Sequence, residues 1–166
     1  MIIVLFGVSG VGKTTIGKLL ADDLGWTFYD ADDLHPPENV QKMAAETPLT
    51  DDDRRGWLNS LRDLIGRTIQ QDENAVLACS ALKESYRDHL TVSDDVKFVH
   101  LKADLATIQQ RMADRTDHFM PLSLLESQFA TLEEPAGTDI VINAALPPGQ
   151  ILTQIKTAFS RSEFKL

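Results

Sequence analysis

The sequence predicts an α/β protein of three layers, with a five-stranded parallel β-sheet between two layers of helices. Residues 2–6 are all apolar, which is typical of a strand buried on both faces. Four further apolar runs follow, at 26–29, 75–79, 98–101 and 140–142. Segments with helical spacing of apolar residues separate these runs. Because strands alternate with helices, we expect the strands to pair in parallel through right-handed crossovers.

The apolar spacing also places the helices. The first is predicted from Thr14 to Leu24, and Gly25 is expected to cap its C-terminal end. The longest is predicted to begin at Thr50, because three aspartates follow in its first turn, where carboxylates favour the positive end of the helix dipole. Further helices are expected after Ser80 and over 105–113, 123–132 and 149–159. The proline pairs at 36–37 and 147–148 are interpreted as loop residues.

Size and charge restrict the function. A chain of 166 residues has the length of one domain, so residues 1–166 are expected to hold all binding sites together. The formal net charge of -9 argues against binding to nucleic acid or to an anionic membrane. One cysteine, Cys79, cannot form an internal disulfide, and the apolar N-terminal run is too short for a secretion signal. We therefore expect a cytoplasmic protein.

Residues 7–14 carry the motif G-x-x-x-x-G-K-[ST] between the first strand and the first helix. Backbone N–H groups of such a loop bind phosphate oxygens, and the helix dipole adds to the attraction. Lys13 is expected to contact the β and γ phosphates of ATP, and the Thr14 hydroxyl to bind Mg²⁺. Thr15 either packs in the helix or contacts a phosphate. The predicted nucleotide-binding residues here are Gly7, Ser9, Gly10, Val11, Gly12, Lys13, Thr14 and Thr15.

An acidic cluster follows the second strand, at the sheet edge where doubly wound proteins bind ligands. If the strand continues, Asp30 and Asp32 point in opposite directions, so one side chain would face the metal and the other an acceptor hydroxyl. The alternative is a loop cluster that caps the next helix. Asp33 is the better candidate for such a cap.

Several blocks of the sequence together resemble the gluconate kinases. They are GVSG at 7–10, DADDLHP at 30–36, PLTDDDR at 48–54, CSALKESYR at 79–87, HFM at 118–120 and QFATLE at 128–133. The resemblance follows the order of that family from Ile3 to about Pro135. It implies a P-loop kinase fold similar to nucleoside monophosphate kinases and shikimate kinase, and ATP-dependent phosphorylation of the 6-hydroxyl of D-gluconate.

The same resemblance implies roles for individual residues. Lys13 and Asp32 are the expected catalytic residues, with Asp32 holding or deprotonating the acceptor hydroxyl and Asp30 near Mg²⁺. The other expected substrate-binding residues are His35, Arg54, Lys83, Arg87 and His118. Arg54 is the first choice for the gluconate carboxylate, because its planar guanidinium can bind both oxygens. Alternatively, the basic residues are solvated helix residues, and His35 forms a loop hydrogen bond.

Two segments complete the expected site: a substrate-binding helical segment over about 34–72 and a mobile lid over about 114–121. Arg111 and Arg115 are four residues apart at the start of the lid, so they share a helix face. They are expected to bind phosphates or stack on adenine, the alternative being surface salt bridges. Asp117 replaces a glycine common in the family.

Two other functions remain open from the sequence. One is a kinase of the same fold that acts on another small hydroxy acid or on a nucleotide. The other is a nucleotide-binding switch or interaction module that signals through a partner. The resemblance also allows a homodimer, which no feature of the sequence tests.

Overall fold

The computed structural model describes residues 1–113, 122–135 and 140–159. The strands in these ranges are β1 (Ile2–Phe6), β2 (Thr27–Asp30), β3 (Ala75–Ala78), β4 (Val96–Lys102) and β5 (Ile140–Asn143). The helices are α1 (Lys13–Leu24), α2 (Pro37–Ala44), α3 (Asp51–Gln70), α4 (Glu84–Leu90), α5 (Leu105–Ala113), α6 (Leu122–Thr131) and α7 (Pro148–Ala158). A short 3₁₀ helix, Ala31–Leu34, directly follows β2.

The five strands form one parallel sheet in the order β2-β3-β1-β4-β5. The predicted five-stranded parallel sheet is therefore confirmed. β1 lies at the centre, and its register pairs Ile3 with Val76 on one side and with Lys97 on the other. The carboxyl ends of all five strands meet at one edge of the sheet, so the loops that follow them lie close together.

Helices cover both faces of this sheet. Because side chains alternate along a strand, Ile3 and Leu5 pack with α1 and α7, whereas Ile2, Val4 and Phe6 pack with α3. All five residues of β1 are buried. This explains why the strand is a continuous apolar run rather than an alternating one, and it confirms the three-layer architecture.

The ends of the helices follow local chemistry. α3 begins at a capping box, in which the Asp53 amide donates to the Thr50 hydroxyl and the Thr50 amide donates to the Asp53 carboxylate. Gly25 adopts a left-handed conformation (φ 67°) at the C-terminal end of α1, as expected. The interpretation of the proline pairs as loops was wrong, because Pro37 and Pro148 are the first residues of α2 and α7. Proline is tolerated there, since the first helical N–H has no partner within the helix.

None of the helices in the described ranges has the length and apolar character that crossing a membrane requires.

Candidate active site

The loop between β1 and α1 has the backbone shape that the P-loop motif predicts. Gly7, Gly10 and Gly12 have φ angles of 143°, 78° and 108°, a region that side chains with a Cβ rarely adopt. A Cβ at Gly7 would also lie 2.6 Å from the Leu101 carbonyl oxygen. Glycine is therefore required here both for conformation and for space. The result is a turn that leads into the N-terminus of α1.

Lys13 folds back over this loop. Its Nζ donates hydrogen bonds to the carbonyl oxygens of Gly7 and Val8, each at 2.9 Å. Burial lowers the pKa of Lys13, while the charges of Asp32 and Asp30 act in the opposite direction. The ammonium group thus lies between the P-loop backbone and the acidic residues after β2, where a bound anion would relieve the cost of its desolvation.

Thr14 and Asp30 form the contact that joins the P-loop to β2. The Thr14 hydroxyl donates to Asp30 Oδ2 at 2.8 Å. Both residues supply oxygen ligands, which Mg²⁺ prefers, and Mg²⁺ commonly keeps waters and phosphate oxygens as its other ligands. No cluster of three or more metal-binding side chains exists in the part of the chain that the structure describes. The pair therefore fits a metal ion that is shared with a phosphate ligand.

The acidic cluster is arranged differently from the sequence-based expectation. β2 ends at Asp30, so Asp30 and Asp32 do not alternate along one strand. Instead Asp30 Oδ1 accepts from the Asp32 amide at 3.1 Å and caps the 3₁₀ helix. The cap is thus Asp30 and not Asp33, because the chain turns one residue after the strand ends. One carboxylate oxygen of Asp30 therefore caps the 3₁₀ helix, and the other accepts a hydrogen bond from Thr14.

The Asp32 side chain is 81% exposed to solvent. Partial desolvation by the surrounding protein, followed by the charge of Asp30, raises the pKa of Asp32, while Lys13 and His35 oppose this effect. Among the described residues, the carboxyl group has an ion-pair contact with His35 at 3.9 Å, which is too long for a hydrogen bond. It is therefore free to accept a hydrogen bond from a ligand.

His35 lies behind Asp32. Its ring stacks on Trp57, with centroids 4.4 Å apart, and its side chain is only 5% exposed. Nδ1 is 3.4 Å from the side-chain nitrogen of Asn39, which is a donor, so Nδ1 accepts and Nε2 carries the proton. Nε2 is 3.9 Å from Asp32 Oδ1. Burial lowers the pKa of His35, so the ring is neutral at pH 7.

A second cluster of polar side chains, the Asp51 group, lies where the start of α3 meets α4. Both carboxylate oxygens of Asp51 accept from Lys83 Nζ at 2.8 Å, and Asp51 also accepts from the Tyr86 hydroxyl. These hydrogen bonds, from Lys83 first, lower the pKa of Asp51. Arg54 lies over the Tyr86 ring at 5.9 Å and donates to the Leu49 carbonyl at 2.6 Å. Lys83 is thus already paired, whereas Arg54 keeps further donors for a ligand.

Arg87 has a different environment from Arg54. It is buried, and its guanidinium donates to the carbonyls of Ala81 and Leu82 and to that of Glu133. The group also lies 4.8 Å from the centre of the Phe6 ring. Ala81 has a φ of 36°, a strained value for a residue other than glycine. Arg87 therefore holds this loop in shape, and its guanidinium is buried rather than exposed to a ligand in this conformation.

Arg111 lies between the P-loop and the loop that follows β5. It donates to the Val11 carbonyl at 3.3 Å and to the Ala144 carbonyl at 2.5 Å, which connects α5 to the loop after β5. Thr15 is exposed on α1. Arg115, His118 and the whole of the predicted lid, 114–121, lie outside the described residues.

Gln128 on α6 is a contact residue that the sequence analysis did not single out. Its Oε1 accepts from the Ser9 amide at 2.7 Å, and its Nε2 donates to the Ser9 hydroxyl at 3.1 Å. Trp57, Asn39 and Asp51 were also missed as parts of the site. Gln128 opens the QFATLE block of the resemblance, but its contact with Ser9 could not be read from the sequence, because 119 residues separate the two.

Comparison with known proteins bears on the family and the fold. The shikimate kinase family model matches residues 9–137. The chain is 46% identical over 144 residues to a gluconokinase of Gluconobacter oxydans strain 621H, which covers 86% of this chain and 81% of that protein. A crystal structure of a gluconokinase from Sinorhizobium meliloti 1021 superimposes with a TM-score of 0.84, at 42% identity, covering 94% of this chain and 89% of that one.

This chain belongs to the gluconokinase family. The sequence-based family assignment is confirmed, and so are the kinase activity and the fold class. A shikimate kinase from Aquifex aeolicus, at 20% identity and a TM-score of 0.68 over 95% of both chains, shares the fold alone. In this member of the family the P-loop, the acidic residues after β2 and the Asp51 group all lie at the carboxyl edge of the sheet.

Proposed function

We propose that this protein transfers the γ-phosphoryl group of ATP to the 6-hydroxyl of D-gluconate, with Mg²⁺ as the metal. The observation that carries the proposal is the 2.8 Å hydrogen bond from Thr14 to Asp30. It joins the nucleotide loop to the acidic residues at the end of β2, so that a phosphate and an acceptor would meet there. The relatives named gluconokinase support gluconate as the acceptor.

On the nucleotide side, phosphoryl transfer needs alignment and neutralisation of charge more than covalent chemistry. The P-loop amides would bind phosphate oxygens, and Lys13 would exchange its contacts with Gly7 and Val8 for the β and γ phosphates. Thr14 and Asp30 would hold Mg²⁺, which neutralises phosphate charge when bound. Arg111, which already contacts the Val11 carbonyl, would lie along the nucleotide, and the lid at 114–121 with Arg115 would exclude water.

On the acceptor side, we assign Asp32 as the residue that orients the 6-hydroxyl and accepts its proton. Its carboxylate is exposed and could accept a hydrogen bond, and then the proton, from a bound hydroxyl. Arg54 would bind the carboxylate of gluconate, because its guanidinium has free donors. Lys83 would bind the substrate after partial release from Asp51. We assign His35 and Arg87 supporting roles, and His118 a place in the closed lid.

The proposal is tested by following ADP release with Mg²⁺ and ATP, acceptor by acceptor. We expect turnover with D-gluconate and little with shikimate, other hydroxy acids or nucleoside monophosphates. Turnover with one of those acceptors instead would identify a kinase of the same fold but different substrate. ATP hydrolysis that is indifferent to any acceptor would favour a nucleotide-binding switch.

Two substitutions test the residue roles. Lys13→Ala should lower kcat by at least about a hundredfold with the fold retained, because charge on the transferred group is no longer neutralised. Asp32→Asn should lower kcat far more than it weakens ATP binding. A pure loss of ATP affinity in Asp32→Asn would move Asp32 to the nucleotide side.

We also propose a cytoplasmic setting, since the only cysteine of the sequence is a buried free thiol. The homodimer allowed by the resemblance stays a prediction, and sedimentation velocity would test it.

A further inference from the structure

Gln128 makes a two-point contact with the P-loop that the reaction as described does not use. It accepts from the backbone N–H of Ser9 at 2.7 Å and donates to the Ser9 hydroxyl at 3.1 Å. Both residues are half-buried. Backbone N–H groups in this loop are of the kind that bind phosphate oxygens, and Gln128 occupies the N–H of Ser9 and so fixes the orientation of that peptide.

The contacts of Lys13 show where Ser9 lies relative to the phosphates of a bound ATP. Lys13 Nζ contacts the carbonyls of Gly7 and Val8, and the peptide bond after Val8 carries the Ser9 N–H. Because the lysine of a P-loop reaches the β and γ phosphates, this part of the loop lies at the terminal end of the triphosphate. With ATP bound, the amide group of Gln128 would therefore lie beside the phosphoryl group that is transferred.

The chain beyond Gln128 reaches the acceptor side. The Glu133 amide donates to the Leu82 carbonyl at 2.8 Å, and the Glu133 carboxylate accepts from the Glu84 amide at 2.6 Å. These bonds flank Lys83, which belongs to the polar group around Asp51. One short segment, 128–133, thus contacts the nucleotide loop at one end and the acceptor loop at the other.

We propose that Gln128 is a positioning residue for phosphoryl transfer. It fixes the Ser9 peptide beside the γ-phosphoryl group and sets the P-loop at a defined distance from the acceptor loop. This inference rests on the proposed function for its catalytic consequence. The position of Gln128 next to the terminal phosphate is independent of which molecule is the acceptor.

The first test replaces Gln128 by leucine, which has a similar size but no hydrogen-bonding group. We expect kcat with gluconate to fall at least about tenfold, because small displacements of reacting groups have large effects on rate. The KM for ATP should change less than about threefold, since the remaining P-loop amides and Lys13 still bind the triphosphate. Gln154→Leu, at an exposed position on α7, is the matched control and should keep wild-type kinetics.

The second test replaces Gln128 by glutamate, which still accepts from the Ser9 amide but adds a negative charge. Beside the terminal phosphate this charge should weaken binding of Mg²⁺-ATP in titration calorimetry by at least about tenfold, and added salt should reduce the effect. A residue that only supported the loop would be rescued by glutamate. Wild-type ATP affinity in Gln128→Glu would therefore overturn the placement.

The outcomes separate this inference from the proposed function. Thermal unfolding checks that both variants are folded, and the calorimetric arm needs no acceptor. If Gln128→Leu is folded and turns over gluconate at the wild-type rate, the positioning role is wrong while the function stands. If the wild-type protein binds ATP but does not phosphorylate gluconate, the function is wrong, and the calorimetry of Gln128→Glu still decides the placement.

Discussion

Trp57 allows a prediction about the acceptor side of the site, because it donates a hydrogen bond to the backbone next to Asp32. Trp57 is buried on α3, and its Nε1 donates to the Ala31 carbonyl at 2.7 Å. Its ring also forms the surface on which His35 stacks. Ala31 and His35 flank Asp32 in the chain, so Trp57 holds both ends of the segment that carries the proposed base. The perturbation is Trp57→Phe.

Two terms contribute to its effect on stability. The Ala31 residue is fully buried, so its carbonyl loses its partner without gaining water, which costs about 1–3 kcal/mol. Removing part of the indole ring from a packed core costs roughly another 1 kcal/mol. We expect a loss of about 2–4 kcal/mol in the free energy of unfolding. A domain with a stability of about 5–15 kcal/mol stays folded.

The effect on activity should be selective. With the 3₁₀ helix released, Asp32 is no longer held against the acceptor, and kcat for gluconate should fall at least about tenfold. The KM for ATP should stay within about twofold, because Lys13 and Thr14 have separate supports. Urea unfolding and steady-state kinetics measure the two effects. Trp26→Phe, at the other tryptophan, is the control and should leave kcat unchanged.

The reasoning would be refuted by a folded Trp57→Phe variant that loses about 2–4 kcal/mol but retains wild-type kcat. In that case the stability of the 3₁₀ helix would not control the position of Asp32. A rise in the KM for ATP with unchanged kcat would likewise contradict the separation of the two sides of the site.

Three further predictions concern stability and reactivity. Gly17→Ala should not stabilise the protein, because its Cβ would lie 2.6 Å from the Phe28 ring, and overpacking of about 1–3 kcal/mol offsets the gain in helix propensity. Gly56→Ala, with open space around its Cβ, should stabilise the protein by up to about 1 kcal/mol. The urea unfolding midpoints of the two variants test this difference. Hydrogen bonds lower the pKa of Asp53 to about 2. The stability that the ionised Asp53 contributes is therefore present at neutral pH and is lost as the pH falls from about 4 towards 2. The difference in urea unfolding midpoint between Asp53→Asn and the wild type should narrow at pH 3. Burial raises the pKa of Cys79 to about 12, so thiol reagents at pH 8 should label it only after unfolding, and rapid native labelling would contradict its burial.

Much of the fold could be predicted because its signals are local. The run at β1, the capping box at Thr50 and the glycine turn before Lys13 each lie within a few consecutive residues. Their interpretation depends only on backbone and solvent preferences. The proline pairs were misread for the opposite reason: proline both ends loops and begins helices, and only the following packing of α2 and α7 distinguishes the two.

The candidate site was partly predictable. The P-loop residues and the acidic cluster after β2 were found, since strand ends of a parallel sheet meet at one edge. The direction of Asp30 and Asp32 was not, because it depends on the residue at which β2 ends. The buried position of Arg87 was also hidden, since a sequence does not show which arginines have carbonyl oxygens to bind.

The amino-acid sequence alone was sufficient for the sheet, the phosphate-binding loop and the family, because each is encoded in contiguous patterns or in their order along the chain. The pairs that build the site needed the folded chain. Thr14 and Asp30 are 16 residues apart, Lys83 and Asp51 are 32 apart, and Ser9 and Gln128 are 119 apart. Such pairs form only where core packing brings distant segments within hydrogen-bonding distance, and no local preference of either residue specifies its partner.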